Sequence, residues 1–121
     1  MQYLLLIYGQ ESDWLNIPPA QTGALMEEFG KFTQELNASG KNLGSNRLKD
    51  VASATTVRVR DGKRVVTDGP FAETKEQLGG YYLIEAKDLD EAITIAAKIP
   101  SARHGSVEVR PVWAMEQAAG R

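Results

Sequence analysis

The sequence predicts an α+β domain in which two helices cover one face of an antiparallel sheet. Two segments carry apolar residues at helical spacing, and several others carry the apolar runs or the alternation typical of strands. An Asp-Gly pair between two alternating segments adds a tight hairpin. Together these segments predict the element order β-α-β-β-β-α-β.

The first third of the chain is predicted to form a strand and then a helix. Residues 2–8 are a near-continuous apolar run, typical of a strand buried on both faces. Residues 11–17 form a polar loop or a single helical turn that holds a tryptophan. A helix begins at Pro18-Pro19, since proline is tolerated at the first helical position, and ends at Gly40. Its apolar stripe consists of Leu25, Phe29, Phe32 and Leu36.

The middle of the chain is predicted to hold a hairpin between two irregular segments. Residues 41–53 are polar and are expected to be irregular. Residues 54–67 alternate on either side of Asp61-Gly62, a strong signal for a two-residue hairpin turn. Residues 68–71 form a loop, because glycine and proline together interrupt regular structure.

The last third is predicted to form a strand, a helix and a closing strand. Residues 81–86 form the strand. Asp88 caps the helix, and Glu91 three residues later completes a capping-box pattern. The predicted apolar face of that helix is Leu89, Ala92, Ile93, Ala96 and Ala97. Residues 106–112 form the closing strand, so residues 1–113 are one predicted domain and residues 114–121 a flexible tail.

The element order resembles a ferredoxin-like sandwich, which leaves one face of the sheet without helices. Thr56, Arg58 and Arg60 of one strand are expected there, together with Glu108 and Arg110 of the last strand. Tyr81, Leu83 and Glu85, or their neighbours Tyr82 and Ile84, would join them. Three interpretations remain open for this face: a solvated surface with ion pairs, a dimer interface between two sheets, and a pocket for an anionic small molecule.

Composition excludes several classes of function. The 121 residues include no cysteine and one histidine, His104, which excludes disulfides, thiolate nucleophiles and a multi-histidine metal site within one chain. A net charge of −2 argues against nucleic-acid binding. No apolar run approaches the ~18 residues of a membrane span, and the first residues lack the cationic region of a secretory signal. We therefore predict a cytoplasmic protein without metal, cofactor, membrane or nucleic-acid partner.

Four motifs resemble the YCII-related family, in its DGPF-motif group. They are MQYLLLIY at residues 1–8, DGPFAETKE at residues 68–76, GGYY at residues 79–82 and GSVEVRPVW at residues 105–113. The resemblance covers nearly the whole chain and implies a dimeric α+β barrel, in which two ferredoxin-like subunits join through their sheets. It also implies a bacterial cytoplasmic protein of mostly unassigned function. Some relatives are linked to extracytoplasmic-function sigma factors.

The resemblance also implies where this chain departs from enzymatic relatives. Some of those are dehydrochlorinases of small chlorinated acids that use a histidine and an aspartate on or just after the first helix. Phe29 and Ala38 occupy these places here in an alignment anchored on Gly40. The dehydrochlorinase chemistry therefore cannot be carried over to this chain.

Asp68 and His104 are the candidate catalytic residues. Asp68 could act as a general base or ligand anchor, or its carboxylate could accept backbone N–H bonds and organise the loop. His104 is the side chain with an unperturbed pKa near neutrality, and it could act together with Asp68 or Glu108. Alternatively, His104 bonds to the carbonyls at the end of the preceding helix, where Arg103 could also lie.

The candidate ligand-binding residues combine arginines with aromatic side chains. The arginines could hold a carboxylate or phosphate, or pair with Glu85 and Glu108. The tyrosine hydroxyls could orient a ligand or be buried with a satisfied hydroxyl, and the phenylalanine could stack on a ligand or anchor its loop. The full set is Tyr8, Arg58, Arg60, Phe71, Tyr82, Glu108 and Arg110.

Three functions follow from these observations. The first is a homodimer that binds a small acidic molecule in a cleft near the 68–71 loop. The second is a lyase-like or hydrolase-like enzyme that uses Asp68 and His104. The third is a regulatory partner of an extracytoplasmic-function sigma factor.

Overall fold

The computed structural model describes residues 1–114. Its helices are α1 (Glu11–Leu15), α2 (Pro19–Ala38) and α3 (Leu89–Ala97). Its strands are β1 (Gln2–Gly9), β2 (Asn42–Arg47), β3 (Thr55–Arg60), β4 (Lys63–Asp68), β5 (Gln77–Glu85) and β6 (Ser106–Pro111). None of these helices is long and apolar enough to span a bilayer. The predicted tail, residues 114–121, lies outside the described residues apart from Ala114.

Four strands form one antiparallel sheet in the order β2-β5-β1-β6. With α2 and α3 as crossover helices, this is the strand arrangement of a ferredoxin-like α+β fold, and the predicted fold class is confirmed. The central strands β1 and β5 pair from Gln2↔Glu85 to Gly9↔Gln77, with one irregularity after Ile7.

The edge strand β2 lies in the segment that we expected to be irregular. Its sequence, NLGSNR, has neither the alternation nor the β-branched residues that signal a strand. It forms because β5 presents unpaired backbone groups along its outer edge, and the ladder includes Ser45↔Tyr82 and Arg47↔Gly80. The prediction of irregular structure for these residues is therefore wrong.

The predicted hairpin is confirmed, but it does not belong to the main sheet. Asp61 and Gly62 have φ angles of 54° and 72°, as the two central residues of a type I′ turn require. Strands β3 and β4 form a separate two-stranded sheet, and every residue of β4 is exposed. Thr56, Arg58 and Arg60 therefore do not share the open sheet face with Glu108 and Arg110, as we had predicted.

The core lies between the sheet and the helices. Tyr3, Leu5 and Ile7 of β1 alternate into it, and they meet Phe32 and Leu36 from the predicted stripe of α2. The remaining core residues are Tyr82, Ile84, Ala86, Ala92, Ile95, Ala96 and Ile99. The Phe32 and Tyr82 rings pack edge to face, with centroids 5.1 Å apart.

The buried face of α3 differs from the predicted one. Ala92 and Ala96 are buried as expected, but the third buried position is Ile95. Leu89 and Ile93 are about half exposed. Helix α3 is thus rotated so that Ala92, Ile95 and Ala96 join the core, while Leu89 and Ile93 lie on its outer side.

The predicted capping pattern at the start of α3 is confirmed. The Asp88 carboxylate accepts a hydrogen bond from the Glu91 amide at 2.9 Å, and the Glu91 carboxylate accepts one from the Lys87 amide at 3.1 Å. The hydrogen bond from Lys87 is the main cause of a lowered pKa for Glu91. Desolvation opposes this shift, whereas the Lys41 ammonium group, 3.3 Å from the carboxylate, supports it.

Candidate functional site

A cavity of about 370 Å³ lies between the N-terminal half of α2 and the helix-facing side of the sheet. Leu25 and Phe29, the first two residues of the predicted apolar stripe, are half-buried and line this cavity, and Phe29 also packs against the core. Ile7 and Tyr82 form part of its sheet side. A volume near the lower end of the ~300–1,000 Å³ range of ligand pockets suits a small organic molecule.

Trp14 of α1 forms one wall of the cavity because two glycines leave room for its indole ring. A Cβ atom added to Gly79 would lie 2.2 Å from the ring, and one added to Gly9 would lie 2.9 Å from it. Helix α1 is held in place by Glu11, whose amide donates to the Gln77 side chain and whose carboxylate accepts from the Val51 amide, both at 3.0 Å.

A second cavity of about 550 Å³ lies beside the first. Trp14, Arg47 and Gly79 line both of them, so the indole ring and the guanidinium group lie where the two cavities meet. Glu11 and Asp50 add carboxylates to the second cavity, and Lys49 adds an ammonium group. The second cavity is therefore a charged, open neighbour of the more apolar first one.

Arg47 provides the cationic group of the first, more apolar cavity. It lies on β2 two residues after Ser45, on the helix-facing side of the sheet. Its Nη1 atom lies 3.9 Å from the Met26 sulfur, and no ion pair joins it to a carboxylate within residues 1–114. A guanidinium group with free donors can form strong charge-assisted hydrogen bonds to a carboxylate.

Ser101 supplies a buried polar atom to the lining of the first cavity. Ser101 is only 6% exposed, and its Oγ atom has no hydrogen-bond partner within the described part of the chain. Both tyrosine hydroxyls of the lining, in contrast, have hydrogen-bond partners. The Tyr82 hydroxyl lies 2.7 Å from the Thr33 Oγ1 atom, and the Tyr81 hydroxyl accepts a hydrogen bond from the Asn46 side chain at 2.8 Å.

Neither candidate catalytic residue lines the two cavities. Asp68 is exposed at the end of β4, and His104 is exposed just before β6. No hydrogen bond or ion pair of the described residues involves either side chain, so the structure does not join them into a pair. Arg103 does not lie on the α3 carbonyls, since it pairs with Glu28 of α2 at 2.7 Å.

The 68–71 loop is held by groups other than the Asp68 carboxylate. Gly69, with a φ angle of 93°, donates its amide to the Ala54 carbonyl at 2.7 Å and accepts from the Thr56 hydroxyl at 2.8 Å. Arg58 donates to the Phe71 carbonyl at 3.3 Å. The Phe71 side chain is 76% exposed, so it does not anchor the loop within the described chain.

The other predicted ligand-binding residues are dispersed. Arg60 donates to the carbonyl of Val59 in the hairpin. Tyr8, Glu108 and Arg110 lie on the open sheet face, where Arg110 forms an ion pair with Glu108 along the same strand. Among the seven predicted ligand-binding residues, Tyr82 is the one that lines the cavity under α2.

Sequence reasoning missed Trp14, Arg47 and Ser101 as site residues. Two signals could have pointed to the first of them: a tryptophan within a polar segment, and adjacent glycines Gly79 and Gly80 at the start of a strand. Glycines at such a position indicate a close approach of another group. No local pattern distinguishes Arg47 or Ser101. Among residues 1–114, no cluster of acidic or histidine side chains is arranged to hold a metal ion.

The fold and the cavity define a small ferredoxin-like α+β protein with a ligand-sized, mainly apolar cavity under its first long helix. The chain matches the family model of the YCII-related domain over residues 1–116. It is 38% identical over 114 residues to an uncharacterized protein of Rhizobium meliloti (strain 1021), and the match covers 93% of this chain and 92% of that relative. The chain therefore belongs to the YCII-related family, as its motifs predicted.

Proposed function

We propose that this protein binds a small amphipathic acid, with the apolar part in the cavity under α2 and the acidic group at Arg47. The observation that carries the proposal is a guanidinium group without an ion-pair partner, in the described residues, at the edge of an apolar, aromatic cavity. The proposal keeps the ligand class expected from the sequence. It moves the site from the 68–71 loop to the space between α2 and the sheet.

The chemistry of the lining supports such a ligand. Phe29, Trp14 and Tyr82 offer aromatic surface, which binds apolar groups by burial and by ring packing. A carboxylate in this apolar site requires a cation with free donors, and Arg47 meets that requirement. Catalysis by Asp68 and His104 is not part of the proposal, because neither side chain lines the cavity. Partnership with a sigma factor stays a prediction of the family resemblance.

The first test replaces the cation. We expect Arg47→Gln to weaken binding of 3-phenylpropionate by about 10- to 100-fold, because a hydrogen bond to a charged group contributes roughly 1.5–3 kcal/mol. Binding of the uncharged 3-phenylpropan-1-ol should not change. Isothermal titration calorimetry measures both affinities.

The control for this test is Arg64→Gln, which removes an equal charge from the exposed strand β4. Its affinity for 3-phenylpropionate should equal that of the wild-type protein. Failure of the wild-type protein to bind either compound would count against the proposed function. If Arg47→Gln lost affinity for the acid and for the alcohol equally, Arg47 would not be the group that recognises the acid.

We further infer that the open sheet face joins two copies of this chain. Leu4 and Leu6 of β1 point to this face and lie opposite Leu83 and Tyr81 of β5. They are only half-buried, and no helix within residues 1–114 covers them. On the neighbouring strand β6, the Glu108–Arg110 ion pair forms a polar border beside these leucines. An apolar centre with a polar rim is the usual anatomy of a protein–protein interface.

Light scattering tests this homodimer. We expect a solution mass of twice the 13.3 kDa of the chain at micromolar concentration. Leu6→Asp should shift the mass toward that of one chain, since a carboxylate would be buried in the interface near Glu108. Ile93→Asp, at an exposed apolar position on α3, is the matched control and should stay dimeric. A wild-type mass of one chain would contradict the homodimer.

A further inference from the structure

Building on the proposed function, we propose that Ser101 is a second polar anchor of the cavity. In this arrangement the preferred ligand carries a hydroxyl group at the end opposite its acid. Arg47 would hold the acid, Ser101 would hold the hydroxyl, and the apolar middle of the ligand would lie between them.

The first argument is the state of the Ser101 side chain. Its backbone oxygen accepts hydrogen bonds from the amides of His104 and Gly105 at 3.1 and 2.8 Å. Its Oγ atom is buried and has no partner within residues 1–114. Burying a hydroxyl without a hydrogen bond destabilises the folded state by roughly 1–3 kcal/mol. Alanine would fill this position without that cost, so a polar group offered by a ligand explains the serine.

The second argument is the position of Ser101 relative to Arg47. Ser101 belongs to the 3-10 turn Pro100–Arg103, which packs against α2, β1 and β6. Arg47 lies on the opposite edge strand β2, and β5 separates β2 from β1. Neighbouring strands are about 4.8 Å apart, so β2 and β1 are separated by roughly 10 Å. A ligand that reaches both groups therefore needs several atoms between its acid and its hydroxyl.

The aromatic walls define what lies between these two ends. Tyr82 lies on β5, between the strand of Arg47 and β1, while Phe29 and Trp14 add aromatic walls to the same cavity. A flat ring with a short acidic side chain on one end and a hydroxyl on the other matches this arrangement. The inferred ligand class is therefore a hydroxyaryl-alkanoic acid or an acid of the same length and polarity.

The experiment compares 3-(4-hydroxyphenyl)propionate with 3-phenylpropionate by isothermal titration calorimetry. We expect the wild-type protein to bind the hydroxylated acid about tenfold more tightly. Ser101→Ala should abolish this preference and should bind 3-phenylpropionate at least as well as the wild-type protein. Ser45→Ala removes a half-buried hydroxyl from the same cavity and should keep the preference.

Thermal denaturation without ligand provides a second measurement. The melting temperature of Ser101→Ala should equal or exceed that of the wild-type protein, because the hydroxyl group has no hydrogen-bond partner among residues 1–114 to lose. A clear decrease would overturn the inference, since it would reveal a structural partner such as a buried water molecule.

The binding outcomes separate this inference from the proposed function. A preference for the hydroxylated acid that survives in Ser101→Ala, or no preference in the wild-type protein, would overturn the role of Ser101. Binding of 3-phenylpropionate with dependence on Arg47 would leave the proposed function intact in that case. Absence of binding by both compounds would overturn both.

Discussion

Replacing Gly105 with alanine is expected to destabilise the folded protein by about 3 kcal/mol, because the position has no room for a side chain. The added Cβ atom would lie 2.2 Å from the carbonyl oxygen of Tyr8 and 3.2 Å from the Cα atom of Gly9. Both atoms belong to the backbone of the central strand β1. Relief of the clash would require β1 or the start of β6 to move, at the point where Tyr8 pairs with Ser106.

Urea denaturation followed by circular dichroism measures this change. Gly30→Ala is the matched control, because Gly30 lies inside α2 and an added Cβ atom would have nothing within 4 Å. Alanine there should stabilise the protein by roughly 0.5–1 kcal/mol through its higher helix propensity. If Gly105→Ala were as stable as the wild-type protein, Gly105 would not lie as close to the β1 backbone as the structure places it.

Replacing Gly79 with alanine is expected to weaken ligand binding strongly while leaving the fold intact. The new Cβ atom would lie 2.2 Å from the Trp14 ring and would displace the indole from the cavity wall. Helix α1 buries none of its residues, so its displacement should change the melting temperature little. The affinity for 3-phenylpropionate should fall at least tenfold, because the ligand would lose its contact with the Trp14 ring.

A double-mutant cycle checks the physical cause. Trp14→Ala alone should weaken binding, and adding Gly79→Ala to it should have little further effect, because the clashing ring is already gone. Gly44→Ala on β2 is the control, since nothing lies within 4 Å of its added Cβ atom. Additive losses in the double variant would rule out displacement of Trp14 as the cause.

Several elements could be predicted because their signals are local. The Asp61-Gly62 turn requires two positive φ angles, which few other dipeptides adopt at low cost. The Asp88 and Glu91 carboxylates each accept a hydrogen bond from a backbone amide no more than four residues away. The motifs that resemble the YCII-related family are also a property of the sequence, and the family match confirmed them.

Other elements could not be predicted because their cause lies in distant residues. Strand β2 exists because the far edge of β5 accepts it, and its own residues carry no strand signal. Once β2 occupies that edge, the hairpin of β3 and β4 lies outside the main sheet. The same applies to α3, whose orientation against the core buries Ala92, Ile95 and Ala96 but leaves Leu89 and Ile93 about half exposed.

By itself, the sequence determined the fold class, the family and the hairpin, because short-range periodicity, turn chemistry and contiguous motifs encode them. Only the tertiary structure decided where the candidate site lies. Trp14, Arg47 and Ser101 come from a short helix, an edge strand and a 3-10 turn, and nothing in these segments shows that they line one cavity. Asp68 and His104 stand out by residue type, yet chain folding leaves both outside the cavities. A site of this kind is a property of distance in space, which the order of residues along the chain does not reveal.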